Sequence, residues 1–174
     1  GDVAEYITVF ALADPDRGSR SLSAFFVHKD SPGITMVSRL NKMGQRASVQ
    51  NEIKFEDVEV PVENLLGGEG HGFVIAMKTF DRTRTGVAAA AIGNARAALD
   101  YSKEWAKRRI QFGHPITSLQ GVSFMLADMA TSIEAAKMLV WRAAWAYDTN
   151  QKDFSKLSAM SKYWATDMAM NVTT

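Results

Sequence analysis

The sequence predicts an α+β chain, in which a β-rich first part is followed by three helices that look like most of an up-down four-helix bundle. Three observations carry this. Residues 1–66 hold short runs of β-branched and aromatic residues separated by polar turns. From Gly72 the apolar period changes to steps of three and four. Between Leu119 and Tyr147 that period is sustained without a break, which is the narrow seam of antiparallel helix packing.

In the first part, YITVFAL and LSAFFVH read as strands joined by the polar turn ADPDRGSR. KDSPG is a further turn, and ITMVSRL resumes a strand. In SVQNEIKFEDVEVP, Val49, Ile53, Phe55, Val58 and Val60 are interleaved with charged residues, so one or two strands with one wet face are expected. The alternation breaks at Glu56-Asp57, at a bulge or a turn. The glycines of LLGGEGHGF then read as a flexible joint between the two parts. They precede a helix, where glycines can cradle phosphate, but they match no GxGxxG pattern and Glu69 would repel an anion.

The first helix is expected from Gly72 to about Ala106, with a stripe of Phe73, Met77, Phe80, Arg84, Val87, Ala91, Ala95, Ala98 and Ser102. Lys107, Arg108 and Arg109 in its last turn suit the negative end of the helix dipole, and Gly113 and Pro115 stop it. The second helix carries Leu119, Val122, Leu126, Met129, Ile133, Ala136, Val140, Ala143 and Tyr147. Met138, Trp141 and Trp145 widen its apolar face, so it is expected to touch more than one neighbour. A third helix starts near Asp153 or Ser155 and places Leu157, Met160, Trp164, Met168 and Val172 on one face.

Composition bounds the function. The chain has 174 residues, a formal net charge of +1 and no cysteine. Disulfides and thiolate metal sites are excluded, and the overall charge gives no support for nucleic-acid or acidic-membrane binding. His28, His71 and His114 lie far apart, so no metal site is expected. No apolar run reaches the roughly 18 residues of a transmembrane helix, and no signal peptide is read. Both ends look cut: the first residues lead at once into a strand pattern, and NVTT lies inside a helical one without a stop signal. A piece of a longer protein is expected.

Two stretches invite a functional reading. In FDRTRTG, Arg84 falls on the apolar stripe while Arg82 points about 200° away, toward solvent. An inward arginine needs a partner, either a carboxylate of a neighbouring helix or the anion or carbonyl of a ligand. In RRIQFGHP, cations at a helix end need no ligand. Yet Arg109, Gln111 and Phe112 offer a guanidinium fork, an amide and an aromatic face, a set suited to a phosphate with an attached planar base. The methionines and tryptophans of the later helices read as packing rather than as an acyl or partner site.

KMGQRAS, FEDVEVPVENLLGGEGHGF, AMKTFDRTR, RRIQFGHPI, SLQ, FMLADMA and WRAAW stand in an order and spacing that resemble the flavin-dependent acyl-CoA dehydrogenases along nearly the whole chain. One small departure is Val49-Gln50, where that family often has a further small or hydroxyl residue. The resemblance implies part of a middle β-barrel domain over 1–66, a linker over 67–71, and three helices of the C-terminal four-helix bundle over 72–174.

The resemblance implies an FAD cofactor. Arg109, Ile110, Gln111 and Phe112, with Leu119 and Gln120 nearby, would contact its pyrophosphate and adenosine end, usually in the neighbouring subunit. Asp81, Arg82, Thr83 and Arg84 would lie along the acyl-CoA site. The family reaction is α,β-dehydrogenation of an acyl-CoA thioester: a glutamate takes the α-proton and the β-hydrogen leaves as hydride to flavin N5. Most members carry that base in a C-terminal loop, past a Gly-Gly phrase that these residues do not reach, and some carry it at the position of Thr83, where threonine cannot serve. No catalytic base is therefore expected among these residues.

The implied partners are an electron-transfer flavoprotein or similar acceptor and further copies of the chain, as a dimer or tetramer. The implied location is soluble and intracellular: cytoplasm in a bacterium, mitochondrial matrix in a eukaryote. Two alternatives stay open: a non-catalytic helical interaction module, and an acyl-CoA oxidase or flavin monooxygenase on the same scaffold.

Overall fold

The computed structural model describes all 174 residues. They form two compact units, Gly1–Met77 and Lys78–Thr174.

In the first unit, β1 (Tyr6–Leu12) and β2 (Leu22–His28) pair antiparallel in register from Tyr6↔His28 to Leu12↔Leu22. ADPDRGSR closes them through a 3-10 turn, with Asp14 accepting from the Asp16 amide. β3 (Ile34–Arg39) pairs with β4 (Asn51–Phe55) in a second, two-stranded sheet with a register shift between Met36 and Ser38. Only the first half of SVQNEIKFEDVEVP is a strand. At Glu56-Asp57 the chain turns, with Asp57 at φ 49°, and Val58 and Val60 continue outside any ladder. They still line an apolar groove with Val9, Phe25 and Val27, so the wet-and-dry alternation outlasts the strand. β5 (Leu65–Leu66), not foreseen in the sequence, adds to β2.

Of the glycines that follow, Gly70 is packed closely within the first unit. Gly70 has φ +74°, donates its amide to Ser23 Oγ at 3.0 Å, and lies so near the Arg20 carbonyl that a Cβ would sit 2.3 Å from it. Only glycine fits there.

α1 (Gly72–Arg108) begins in the first unit and carries on through the second. α2 (Gln120–Asp148) and α3 (Phe154–Thr173) complete the bundle. The turn after α2 places Asn150 at φ 54°, the left-handed position that ends many helices, and the Gln151 amide caps the Ala146 carbonyl. Arg82, in an early turn of α1, lies over Tyr147 at the end of α2, and Tyr147 meets Phe154 at the start of α3. The helices therefore run up, down and up.

The core joins Ala88, Ala95 and Leu99 of α1, Ile133, Ala136 and Val140 of α2, and Ala165 and Met168 of α3. The α2 seam matches its sequence pattern, except that Ala146 is buried in place of Tyr147. The other two stripes are displaced by one position in places. Phe80, Val87, Met160 and Trp164 are exposed, while Ala88, Ser158, Ser161 and Ala165 are buried. Small side chains let backbones approach, so the packing follows alanines and serines and leaves the large residues at the flanks.

Candidate functional site

The candidate residues form two groups at opposite ends of α1. From Arg84 to Arg108 the helix advances about 36 Å at about 1.5 Å per residue.

At the first group, Arg84 is half-buried, and its Nη1 donates to Asp81 Oδ1 at 2.6 Å. The partner foreseen for Arg84 was a neighbouring helix or a ligand; it is a carboxylate three residues back on the same helix. That spacing brings side chains together on one face and needs no second element. The pair is anchored from below. Ser158, fully buried on α3, donates its hydroxyl to the Asp81 carbonyl, and Thr85 Oγ1 reaches Ser158 Oγ at 3.4 Å. Ser161 ties the same turn by donating to the Ser158 carbonyl at 2.8 Å. Sequence reading missed Ser158. The only signal was a pair of serines three apart within an apolar helix face.

Arg82 points outward, as expected, but is not merely solvated. Its guanidinium lies 5.1 Å from the Tyr147 ring centre. Asp81, Arg82, Lys78 and Thr79 line an open hollow of about 380 Å³ with Tyr147 and Phe154. Thr83 is exposed and its hydroxyl donates to the Phe80 carbonyl at 3.3 Å. The hydroxyl is thus turned back on its own helix.

At the other end, RRIQFGHP forms a two-residue β-hairpin. β6 (Ile110–Gln111) pairs with β7 (His114–Pro115), and the loop residues Phe112 and Gly113 have φ 53° and 83°. Two positive φ values match a type I′ turn. Phe112 is thereby held at the tip, 81% exposed. Arg109 lies just past the helix rather than in its last turn. Its amide donates to the Trp105 carbonyl and its own carbonyl accepts from the Ile116 amide, both at 2.9 Å. The backbone of Arg109 is thus fixed on both sides, while its guanidinium has neither a carboxylate partner nor a hydrogen bond to protein. Arg108 differs: its Nε donates to the Glu104 carbonyl at 3.1 Å, an ordinary helix-end contact. Glu104 is itself held below the usual carboxylate range, first by the hydrogen bond from Lys107 and then by the charge of that lysine.

A 3-10 turn over Ile116–Ser118 leads from the hairpin to α2. Leu119 is the N-cap of α2, and no side chain caps the helix. The first amides of α2, at Gln120 and Gly121, therefore remain open donors at the positive end of a dipole. The structure brings residues 109–112 and 119–120 to one end of the bundle. It keeps them apart from residues 81–84.

A β unit followed by an up-down helical bundle, with the Asp81–Arg84 pair toward one end of a long helix and a β-hairpin at the other, defines an α+β protein of the β-domain-plus-bundle class. Residues 70–174 match the family model described as acyl-CoA dehydrogenase, C-terminal domain, and the chain belongs to the acyl-CoA dehydrogenase family. It is 44% identical over its full 174 residues to a cyclohex-1-ene-1-carbonyl-CoA dehydrogenase of Geobacter metallireducens, covering 46% of that protein. It superposes on butyryl-CoA dehydrogenase of Megasphaera elsdenii with a TM-score of 0.95 at 44% identity, over 99% of this chain and 45% of that one. The structure of PigA with FAD and proline is similar at a TM-score of 0.93 and 29% identity, over 98% of this chain and 44% of that one. The chain thus spans less than half the length of these relatives. No helix is long and apolar enough to cross a membrane.

Proposed function

We propose that this chain forms part of an FAD-dependent enzyme that oxidises an acyl-CoA thioester between Cα and Cβ, with residues 81–84 at the acyl-CoA and residues 109–112, 119 and 120 at the FAD. The observation that carries it is the unpaired Arg109 guanidinium beside the Phe112 hairpin and the uncapped start of α2. These groups suit a pyrophosphate: a planar fork for two oxygens, helix amides for a third and an aromatic face beside them. The flavin, when bound, supplies hydride acceptance. The residues of this chain bind and orient. Asp81 and Arg84 hold each other on one helix face, and Ser158 fixes the backbone beneath them.

The 36 Å scale of separation along α1 supports a second element of the reading, that the clamp serves the cofactor of another copy of the chain. A homodimer or tetramer follows from that sharing. An electron-transfer flavoprotein or a similar carrier takes the electrons onward, and the enzyme works in the cytoplasm of a bacterium or the mitochondrial matrix of a eukaryote. The proton acceptor is a carboxylate outside these residues.

Anaerobic addition of short- to medium-chain acyl-CoA thioesters to the flavin-loaded enzyme tests the reading. Loss of flavin absorbance near 450 nm (on the order of complete at excess substrate, given a cofactor that carries the redox chemistry) is the expected result. Absence of bleaching with every thioester rejects it. Rapid oxygen consumption on the same substrates would assign an oxidase.

A further inference from the structure

We propose that Ser158 is a positioning residue for acyl-CoA binding: its hydroxyl, donated from α3 to the Asp81 carbonyl of α1, sets where the Asp81–Arg84 pair stands; this rests on the acyl-CoA reading of residues 81–84 above. Most hydroxyls on these helices turn back on their own helix. Ser123, Thr131, Thr166 and Thr173 each bond a carbonyl three or four residues earlier, the local outlet open to such side chains. Ser158 instead reaches a carbonyl 77 residues away in sequence. It is fully buried, in a medium where a hydrogen bond is stronger than in water.

The carbonyl it meets belongs to the turn that carries the pair. By helix geometry, Asp81, Arg84, Thr85 and Ala88 fall within about 100° of one another around α1. Ala88 is fully buried, so this sector faces the bundle. Asp81 Oδ1 accepts from Arg84 Nη1 at 2.6 Å, and Thr85 Oγ1 lies 3.4 Å from Ser158 Oγ. Elsewhere the core that α1 and α3 share is apolar, with Ala88, Ala95 and Leu99 of one and Ala165 and Met168 of the other. Apolar contact is non-directional and tolerates a small slide or rotation of one helix on another. A hydrogen bond fixes angle as well as distance. The Asp81 carbonyl keeps its partner within α1, the Thr85 amide, when the serine hydroxyl is removed. Its loss therefore frees the turn to shift without unfolding it, and a small shift of a binding group is felt by the ligand.

The binding probes are crotonyl-CoA and oct-2-enoyl-CoA, the enoyl products of butyryl-CoA and octanoyl-CoA. Their Kd for the flavin-loaded enzyme is measured by calorimetry, beside KM and kcat for the two substrates. The variants are Ser158→Ala, Ser158→Cys, Arg84→Ala, the Ser158→Ala and Arg84→Ala double variant, and Ile133→Val. Cysteine keeps the volume of serine but donates only weakly, so packing is preserved there. Both Ser158 variants are expected to raise Kd and KM about fivefold, the scale of one hydrogen bond. Their kcat is expected to stay within about twofold of the parent, as when binding rather than chemistry is lost. Ile133→Val trims the buried core elsewhere at a similar cost in stability and is expected to leave Kd at the parent value. Arg84→Ala is expected to raise Kd, and Ser158→Ala to add nothing further to it, because residues that act through one another are not additive. Parent-like Kd in both Ser158 variants, with Arg84→Ala weakened, overturns the positioning role and leaves the reading of residues 81–84 standing. A Ser158→Ala effect that persists in full without Arg84, or an equal effect from Ile133→Val, does the same. Parent-like Kd in Arg84→Ala, or no binding of either enoyl thioester to the parent, overturns that reading and the positioning role with it.

Discussion

Arg84 and Arg109 lie on one helix system yet are expected to fail differently when removed. Arg84 and Asp81 are partly exposed, so their ion pair adds at most about 1 kcal/mol to folding after screening by solvent. Arg84→Ala is therefore expected to leave the melting temperature and flavin content close to the parent and to reduce acyl-CoA turnover. Equal loss of turnover, flavin and folding would make the residue structural. Arg109 makes no bond through its side chain within the chain, so Arg109→Ala is expected to cost no stability. It should release flavin during dialysis, with affinity weakened roughly tenfold to a hundredfold by loss of a charged hydrogen bond of about 1.5–3 kcal/mol. Arg109→Lys should recover only part of this, because an ammonium lacks the planar fork. Glu104 gives a pH signature at the same scale. Its carboxyl titrates below the ordinary value of 4.5, so its contact with Lys107 is complete above that pH and is lost as the pH falls through the lowered value. Helicity at the end of α1 is expected to be flat from neutral pH down to the ordinary carboxylate range and to fray only below it.

The elements show what a sequence can and cannot convey. Helical periods are local, and α2 lies along its predicted seam from Val122 to Ala143. Which large residue faces inward depends on the neighbour, so Phe80 and Trp164 are exposed where a one-helix pattern would bury them. The hairpin after α1 was hidden for another reason. Phe-Gly is not a common type I′ pair, and Phe112 adopts a positive φ that side chains rarely take. The candidate site was legible through its residue types, but Asp81 as the partner of Arg84 and Ser158 as the anchor depend on contacts that no spacing rule singled out. Phe112→Asn is expected to relieve the turn and raise hairpin protection in hydrogen exchange, while removing the aromatic face and weakening flavin retention. Ser158 tests the joint between α1 and α3. Ser158→Ala should cost about 1 kcal/mol, the worth of one buried hydrogen bond. Ser158→Leu should unfold the bundle at far lower temperature, because the site has no free surface. Thermal melts followed by circular dichroism separate the two.

Across the whole molecule, unpartnered apolar surface is prominent. Trp141, Trp145, Met138 and Trp164 are each more than two-fifths exposed, as are Phe124 and Met125 at the start of α2. Exposed apolar side chains in this number favour assembly. The 174-residue chain is expected to sediment and scatter light as a dimer or larger species and, on the proposed reading that the base lies outside it, to show no acyl-CoA turnover with an artificial electron acceptor. A monodisperse monomer would contradict the first expectation, and turnover by the pure chain the second.

The length of α1 has one more consequence, for inheritance. On the reading proposed above, a clamp and a substrate end held this far apart assemble each reaction centre from two copies of the chain. Two alleles, one lacking Arg84 and one lacking Arg109, are each expected to be impaired in pure form. Co-expressed, they pair at random, and in every mixed pair one centre draws both intact arginines. About a quarter of all centres are then whole, by the twofold symmetry of such a pair. A carrier of both lesions is expected to be more active than either parent, as measured by turnover of the co-expressed enzyme at saturating flavin.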